Sequence, residues 1–552
     1  MFCYDLTRFF CASLCTAALV CPLLTASAQD NAAPPAGTSD TLTVSELSRR
    51  VLERNLSVQE KLLDYAFNQR KYQAERGIFE PEAFGSASHE ANRRQNSSEQ
   101  SAQSNGVFLF QESNNLYEGG VEGLAPTGAK VRFGYELSDI SNNIPPSLFA
   151  SPITVGQYQS FAGVSLTQPL LKNFGPAATM AEIRLAALSS KIAFQEYRRE
   201  LMMAVGRAEA TYWNLYLAQK QVGFFEESVQ IAERILSDNR ALLDAGKGSQ
   251  LEVMQAQAGV GLRQAKLDDA RQKVAEATDR LISLYDELPS ATGREIVLVD
   301  SPKLDVASYD MDALCQRARQ LSPDFLIQEE KSEQELVRLG YARNQRLFEV
   351  NLKGAYGLNG FATTPGKSLT TVEQGRYRAW SFGLELRVPI LGGIKGRNEV
   401  AATRLQATEA EVAMWALENE MASGLDVARQ KVARARSSAG SYQDVVSYNQ
   451  NLLDSALVSL AAGKIESRKV FEIESDLFDA KNSVLEAMVN YKVAQVELGL
   501  ITGSILEDRH LEITQSQLQK ATEKLARVKN WDDGGYQQAL QQVHAIYPAD
   551  KN

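Results

Sequence analysis

The sequence predicts a mainly α-helical fold that also contains a membrane β-barrel and is built from two copies of one unit. Three observations lead to this fold class. Apolar residues keep helical spacing over stretches too long for a globular core, a Gly-Lys turn interrupts such stretches twice, and short alternating runs precede each stretch. Each unit is therefore expected to run helix, strand, strand and long helical hairpin.

Composition indicates a folded chain and excludes one class of partner. Of the 552 residues, 44% are apolar and 23% are charged, as in ordinary folded proteins. The formal net charge is −10 and the isoelectric point is about 5.2. Proteins that bind nucleic acid need a basic face, so no nucleic-acid partner is expected.

Residues 1–28 have the features of an export signal. Arg8 precedes an apolar run over residues 9–24, and Ala26-Ser27-Ala28 supplies small residues for cleavage. Residues 29–41 are rich in proline and small residues and are expected to form a disordered lead-in. The predicted mature chain is therefore exported.

Four of the five cysteines fall inside the predicted signal. Cys21 could be a lipoprotein site, but the residue before it is the bulky Val20, which disfavours lipidation. Only Cys315 remains in the predicted mature chain, so no intrachain disulfide is expected.

The first unit is predicted to span residues 42–289. A helix is expected over 42–79, followed by strands and an outer loop within 80–172. Alternating residues indicate strands near 131–137 and 162–166, and Pro126-Thr127-Gly128 is typical of a hairpin turn. This hairpin either adds strands to the membrane barrel or only extends the outer loop.

A long helical hairpin over 177–288 closes the first unit. An unbroken three-and-four spacing of apolar residues runs from Leu201 to Leu236, and the chain then turns at Gly246. A helix from about 177 to 243 would form a rod of roughly 100 Å at 1.5 Å per residue. Such a rod needs partner helices along its whole length.

The second unit is predicted over residues 311–503, after a linker at 290–310. Its strands are expected at 347–360 and 377–390, and its helical hairpin at 397–503 turns at Gly463, the counterpart of Gly246. The opening helices correspond at Leu47 and Leu314, which lie farther apart in the sequence than the two turn glycines. The first unit therefore carries extra length before its long helix, in the loop at about 90–160.

Residues 504–552 form a tail without a counterpart in the first unit, with a helix expected near 512–529. No later stretch approaches the 18 or so continuous apolar residues of a spanning helix, so a membrane crossing would need a closed barrel. Four clearly marked strands per chain are too few, because about eight is the minimum for closure. A trimer would supply twelve strands and, beneath them, a tube of twelve long helical segments.

Several motif pairs give the sequence a resemblance to the TolC-type outer-membrane efflux protein family. Two motifs of the first unit have counterparts in the second: SLTQPLL (165–171) corresponds to LRVPILGG (386–393), and AGKGSQLEV (245–253) corresponds to AGKIESRKV (462–470). The second unit ends with YKVAQVELGLITG (491–503). The resemblance implies a homotrimer in outer-membrane lipid, with a twelve-stranded barrel and an α-helical tunnel in the periplasm. It also implies docking on a periplasmic adaptor and on an inner-membrane efflux pump or ABC exporter, for passive export of small molecules or proteins.

The resemblance also implies two sets of site residues. The family's periplasmic gate carries acidic rings just after the second turn, and these positions fall on Lys469 and Glu472. Lys469 reverses the expected sign and could pair with Glu472 one turn away. The alternative is that both are ordinary solvated charges.

The residues expected at the adaptor-contact tip surround the two turns: Gly246, Lys247, Ser249, Gly463, Lys464, Glu466 and Ser467.

No catalytic residue, metal site or cofactor is expected. The three histidines, His89, His510 and His544, are isolated in the sequence, and no nucleophile constellation is present. A second class of function remains open, namely a periplasmic coiled-coil adaptor or scaffold without a pore. The alternating strands at 347–360 and 377–390 favour the channel, because a soluble scaffold has no use for them.

Overall fold

The structure is a computed structural model that describes residues 40–144, 157–285, 296–305, 309–390, 393–462 and 464–525. The predicted signal at 1–28 and most of the lead-in lie outside the described residues. The helices are α1 (Val44–Arg54), α2 (Leu56–Glu75), α3 (Ser98–Gln103), α4 (Pro176–Thr179), α5 (Ala181–Asp244), α6 (Gln250–Ile282), α7 (Met311–Leu321), α8 (Pro323–Gln345), α9 (Pro365–Glu373), α10 (Ile394–Ala461), α11 (Ser467–Thr502), α12 (Ile505–Asp508) and α13 (Gln515–Leu525). The strands are β1 (Asp40–Leu42), β2 (Glu82–Gln95), β3 (Leu109–Leu124), β4 (Lys130–Asn142), β5 (Gln157–Pro169), β6 (Ile296–Leu298), β7 (Glu349–Ala362) and β8 (Tyr377–Arg387).

Both predicted helical hairpins are present. Helix α5 has 64 residues and packs against α6, and α10 has 68 residues and packs against α11. Each long helix therefore measures roughly 100 Å. Its buried positions are often alanine, as at Ala204, Ala208 and Ala232, and small side chains allow neighbouring helix axes to approach closely.

A separate core lies part of the way along α5, far from the turns. Tyr65, Tyr197 and Tyr212 are fully buried there, together with apolar residues from α1, α6 and the C-terminal helices α12 and α13. The predicted tail helix is thus present as α13 and packs against α2. We call this core the girdle; it joins the beginning of the described chain to its end.

Six strands form one antiparallel sheet in the order β2-β3-β4-β5-β7-β8. The expectation of four strands per chain is therefore wrong, because β2 and β3 are two further full strands, and the hairpin at Pro126-Thr127-Gly128 joins β3 to β4. Gly128 lies in the left-handed region at φ +87°, which suits glycine at this turn. Strand β2 contains mostly small and polar residues, so its sequence shows little sign of its pairing.

The sheet has one apolar and one polar face. Cross-strand partners share a face, as in the pairs Val121↔Phe133, Phe133↔Val164, Val164↔Tyr356 and Tyr356↔Trp380. In the single chain the apolar face is open, and Trp380 and Phe382 are 77% and 72% exposed. We define the apolar face by its residues Ala83, Ala87, Tyr117, Val121, Val131, Phe133, Leu137, Val164, Leu166, Leu352, Tyr356, Leu358, Trp380, Phe382, Leu384 and Leu386.

A second, two-stranded sheet pairs β1 with β6 in parallel, with Asp40 opposite Ile296 and Leu42 opposite Leu298. The lead-in predicted to be disordered through residue 41 is therefore wrong at its end, and the linker predicted at 290–310 contains a strand. The two strands flank the first unit, one before it and one after it, so no local pattern indicates the pairing. In the described part of the chain, no helix has both the length and the apolar character needed to span a membrane.

Candidate functional site at the hairpin turns

The first hairpin turn is built by backbone hydrogen bonds around a left-handed glycine. Gly246 has φ +69°, and the N–H of Lys247 donates to the carbonyl of Leu242 at 2.8 Å. This is the pattern of a helix end that closes on glycine. The next helix begins at once, because the Ser249 side chain caps α6 and Glu252 bonds back to the Ser249 N–H at 3.0 Å.

The second turn repeats the main bond of the first. The N–H of Lys464 donates to the carbonyl of Ser459 at 2.9 Å, the equivalent of the bond from Lys247 to Leu242. Gly463 itself lies outside the described residues. Glu466 takes the position before α11, but its side chain makes no capping bond.

The predicted tip residues differ in their accessibility. Lys247, Ser249, Lys464 and Glu466 are exposed, as is Gly246. Ser467 is only 2% exposed. It does not fit a contact surface, so we leave it out of the proposed tip.

Ser467 instead ties the two hairpins together. The Asn239 amide donates to the Ser467 hydroxyl at 2.7 Å and lies 3.3 Å from the Glu252 carbonyl. Asn239 is on α5, Glu252 on α6 and Ser467 on α11, so this amide fixes the relative positions of both turns.

The two gate candidates form an ion pair. Lys469 Nζ lies 3.0 Å from Glu472 Oε2, and their side chains are 57% and 60% exposed. The neighbouring residues Val470 and Ile473 are buried between the helices, so the pair projects from the other side of α11. Exposed pairs of this kind contribute about 0–1 kcal/mol.

A buried charge cluster lies just beyond the gate candidates. Glu474 is 5% exposed and Arg263 is 8% exposed. The Arg263 guanidinium donates from Nε to Glu474 at 3.1 Å and also from Nη2, while the Ser228 hydroxyl donates to the other carboxylate oxygen. This cluster joins α5, α6 and α11.

An aromatic ring covers the same arginine. The Arg263 guanidinium carbon lies 4.3 Å from the centroid of the Phe471 ring. A Cβ atom at Gly259 would meet this ring at 2.9 Å, so glycine makes room for it. Sequence reasoning missed Arg263 and Glu474, although Glu474 lies one helical turn after Val470 on the buried seam, where a charge is unusual.

The girdle contains a second charge pair, in which the carboxylate is buried and the guanidinium is partly exposed. The Glu209 carboxylate is fully buried and accepts from Arg509 Nε at 2.6 Å and Nη2 at 2.8 Å. This bidentate hydrogen bond raises the pKa of Arg509. Helix α5 is thereby held to the chain that follows α12.

Tyr212 lies next to this pair. Its hydroxyl donates to the Leu42 carbonyl at 3.2 Å and accepts from the Asp300 N–H at 3.1 Å. Burial raises the pKa of Tyr212 to about 12. Within the described ranges, no group of three or more His, Cys, Asp or Glu side chains is placed to hold a metal.

Comparisons with known proteins agree with this geometry. The sequence model of a family described as outer membrane efflux protein matches residues 134–285 and 314–504, one segment in each predicted unit. The alkaline protease secretion protein AprF of Pseudomonas aeruginosa is 25% identical over 374 residues, covering 64% of this chain and 72% of AprF. The outer membrane efflux protein BepC of Brucella suis is 23% identical over 367 residues, covering 65% and 75%.

Solved structures show the same fold at low sequence identity. The CmeC outer membrane channel of Campylobacter jejuni is 15% identical with a TM-score of 0.57, over 83% of this chain and 85% of CmeC. The outer membrane protein VceC of Vibrio cholerae is 12% identical with a TM-score of 0.57, over 83% and 96%. The family match covers more than half of the sequence, so the chain belongs to the outer membrane efflux protein family and is an outer-membrane exit channel that extends into the periplasm.

Proposed function

We propose that three copies of this chain form one continuous duct, with a barrel in the outer membrane and the paired long helices as a periplasmic tunnel. The open sheet carries the proposal. In the described residues β2 pairs only with β3 and β8 only with β7, and the apolar face is uncovered. Unpaired strand edges and exposed aromatic residues are costly in water, and a closed oligomer in lipid removes both costs.

Fractionation and reconstitution test this duct. We expect the protein in the outer-membrane fraction, a native mass of three chains, and conductance in planar bilayers. A monomer in the soluble fraction would favour the scaffold alternative. A stable trimer without conductance, even after the gate pair is neutralised, would exclude an open path through it.

We further infer that the duct is passive, has no catalytic site and receives cargo from an inner-membrane pump or ABC exporter through a periplasmic adaptor. The names of the two relatives support this, since AprF is named for alkaline protease secretion and BepC for efflux. A passive path suits both kinds of cargo, and the inner-membrane partner would choose between them. Identification of the proteins that co-purify with the cross-linked chain tests this inference.

The exposed turns would form the adaptor contact, through Gly246, Lys247, Ser249, Lys464 and Glu466. We expect Lys247→Glu and Lys464→Glu to reduce recovery of the co-purifying adaptor at least tenfold. Lys273→Glu, an exposed lysine on α6 away from the turn, is the matched control and should keep normal recovery. Equal recovery from all three variants would exclude the turns as the contact.

Lys469 and Glu472 would form paired rings of opposite charge at the periplasmic end of the tunnel. Because the two charges cancel within each chain, removing one should leave the charge of the other uncompensated. Lys469→Gln is expected to raise cation selectivity and Glu472→Gln to lower it, measured as reversal potentials in a salt gradient. The double variant should resemble the wild type. Unchanged potentials in both single variants would show that the pair lies off the conducting path.

A further inference from the structure

We propose that the extra hairpin β2–β3 is part of the membrane wall, and that β2 pairs with β8 of a neighbouring copy to close an eighteen-stranded barrel. This rests on the trimeric duct proposed above and states how its wall is closed. The family match begins at residue 134, inside β4, so β2 and β3 lie before it. An added hairpin at this point could equally have been an outer loop.

The hairpin is joined to the rest of the sheet along its full length. Strand β3 pairs with β4 from Glu112↔Asn142 to Leu124↔Lys130, and β2 pairs with β3 over all its 14 residues. The turn between β3 and β4 lies at the end of the sheet nearest the long helices, where β5 and β8 also end. The hairpin therefore has the same height as the wall strands.

The apolar face ends at the same level on β2, β3 and β4. Beyond Ala87, Tyr117 and Leu137, which are cross-strand neighbours, the same face becomes polar. There the His89 ring nitrogen Nδ1 lies 2.8 Å from the Asn115 Oδ1, and the Asn115 amide donates to Asp139 at 3.1 Å. An outer loop has no reason to share this limit with the wall, whereas a lipid-facing strand must.

The opposite face of the hairpin is charged. Glu118 on β3 accepts from Arg132 on β4 at 2.6 Å, and the Arg132 guanidinium carbon lies 4.0 Å from the centroid of the Phe84 ring on β2. Polar contacts across three strands on one face, opposite the apolar face, are typical of a wall between lipid and a wet lumen.

The free edges fit a second copy of this chain. Strand β2 runs away from the long helices and β8 runs toward them, so β8 of one copy and β2 of the next would pair antiparallel, as all the other neighbours do. Glu82 begins β2 and Arg387 ends β8, which brings opposite charges together at the helix end of this seam. Barrel diameter grows roughly linearly with strand number, so eighteen strands give an exit about 1.5 times as wide as twelve.

Disulfide trapping between chains tests the proposed pairing of β2 with β8 of a neighbouring copy. In a Cys315→Ala background of the full-length protein, Ser381→Cys on β8 is combined in turn with Ser86→Cys, Ser88→Cys or Glu90→Cys on β2. These side chains all lie on the polar face, and three positions allow for the register. Within one chain the two edges are five strand spacings apart, about 24 Å, so a disulfide must join two chains.

The matched control combines Ser381→Cys with Ser138→Cys on β4. These cysteines would meet only if β2 and β3 left the wall and three copies closed a twelve-stranded barrel. After oxidation in isolated outer membranes, we expect covalent trimers on denaturing gels from at least one β2 pair, and monomers from the control and from Cys315→Ala alone.

Two results would contradict the pairing of β2 with β8 of a neighbouring copy while leaving the trimer intact. One is a covalent trimer from the Ser138 pair with none from the β2 pairs. The other is a native trimer in which no pair is trapped, because the β2 and β8 edges would then not be neighbours. A native monomer in every variant would instead refute the trimeric duct itself.

Discussion

Glu474 places a carboxylate between three helices, where water cannot solvate it. Its oxygens accept from Arg263 and Ser228, and the Arg263 guanidinium is covered by Phe471. A buried pair of this kind adds little net stability but is costly to break, because the remaining charge is left without a partner. Each chain therefore resists separation of α11 from α5 and α6 at this point.

Glu474→Gln should lower the free energy of unfolding by about 3 kcal/mol or more, because it leaves the buried Arg263 charge uncompensated. Glu472→Gln is the matched control, since its ion pair is exposed, and should change stability by no more than about 1 kcal/mol. Thermal unfolding of the detergent-purified protein, followed by circular dichroism, compares the two. Equal losses would contradict the assigned burial.

The buried Tyr212 predicts a loss of stability at high pH. Its pKa is raised in the folded chain to about 12 from an ordinary value of 10, chiefly by burial. The unfolded chain therefore releases this proton first, and the stabilisation is complete below pH 10 and is lost as the pH rises toward 12. Melting temperatures from pH 9 to 12 should fall less steeply for Tyr212→Phe than for the wild type. Tyr448→Phe, at an exposed tyrosine, should follow the wild type.

At the residue scale, sequence patterns locate charges but not their partners. Lys469 and Glu472 lie one helical turn apart, so their pairing could be predicted and is confirmed. Ser467 also follows a turn, and the resemblance places it at the adaptor-contact tip, yet it is buried and its partner Asn239 belongs to the long helix of the other unit. Long-range partners of this kind leave no local pattern.

The first hairpin turn depends on one glycine with a left-handed backbone. Gly246→Ala should destabilise the protein by roughly 1 kcal/mol, because alanine adopts this conformation poorly. Gly261→Ala, in the interior of α6 with open space around it, should instead stabilise by up to about 1 kcal/mol. Denaturant titration of both variants measures the two signs. A loss at both positions would show that α6 tolerates no added methyl group.

The helices were predicted more accurately than the strands. The long seams mark α5, α6, α10 and α11 because one face of each is buried along its length. The strand predictions at 347–360 and 377–390 lie within a few residues of β7 and β8. Strand β2 was missed because alanine, glycine, serine and charged residues have low strand propensity, and only its pairing with β3 explains it.

For the whole molecule, the two faces of the sheet predict opposite responses to the same charge. Phe382→Lys places an ammonium on the apolar face and should reduce heat-resistant oligomer in the outer membrane, at a cost of about 2–4 kcal/mol per chain. Ser381→Lys, the preceding residue on β8, places the same charge on the polar face and should assemble normally. Recovery from purified outer membranes, compared by gel, measures the difference, and equal recovery would contradict the assignment of the faces.

The pairing of β1 with β6 also sets the order in which the chain folds. Strand β1, which contains Leu42, can pair only after β6, which contains Leu298, is available. Tyr212 can bond to the Leu42 carbonyl and to the Asp300 N–H only when both segments are present. Helix α13, the last described element, reaches back to α2 near the first. Contacts with such high contact order form late. The girdle is therefore completed only after nearly the whole described chain has been exported, and until then the first hairpin must remain in the periplasm with its core unfinished.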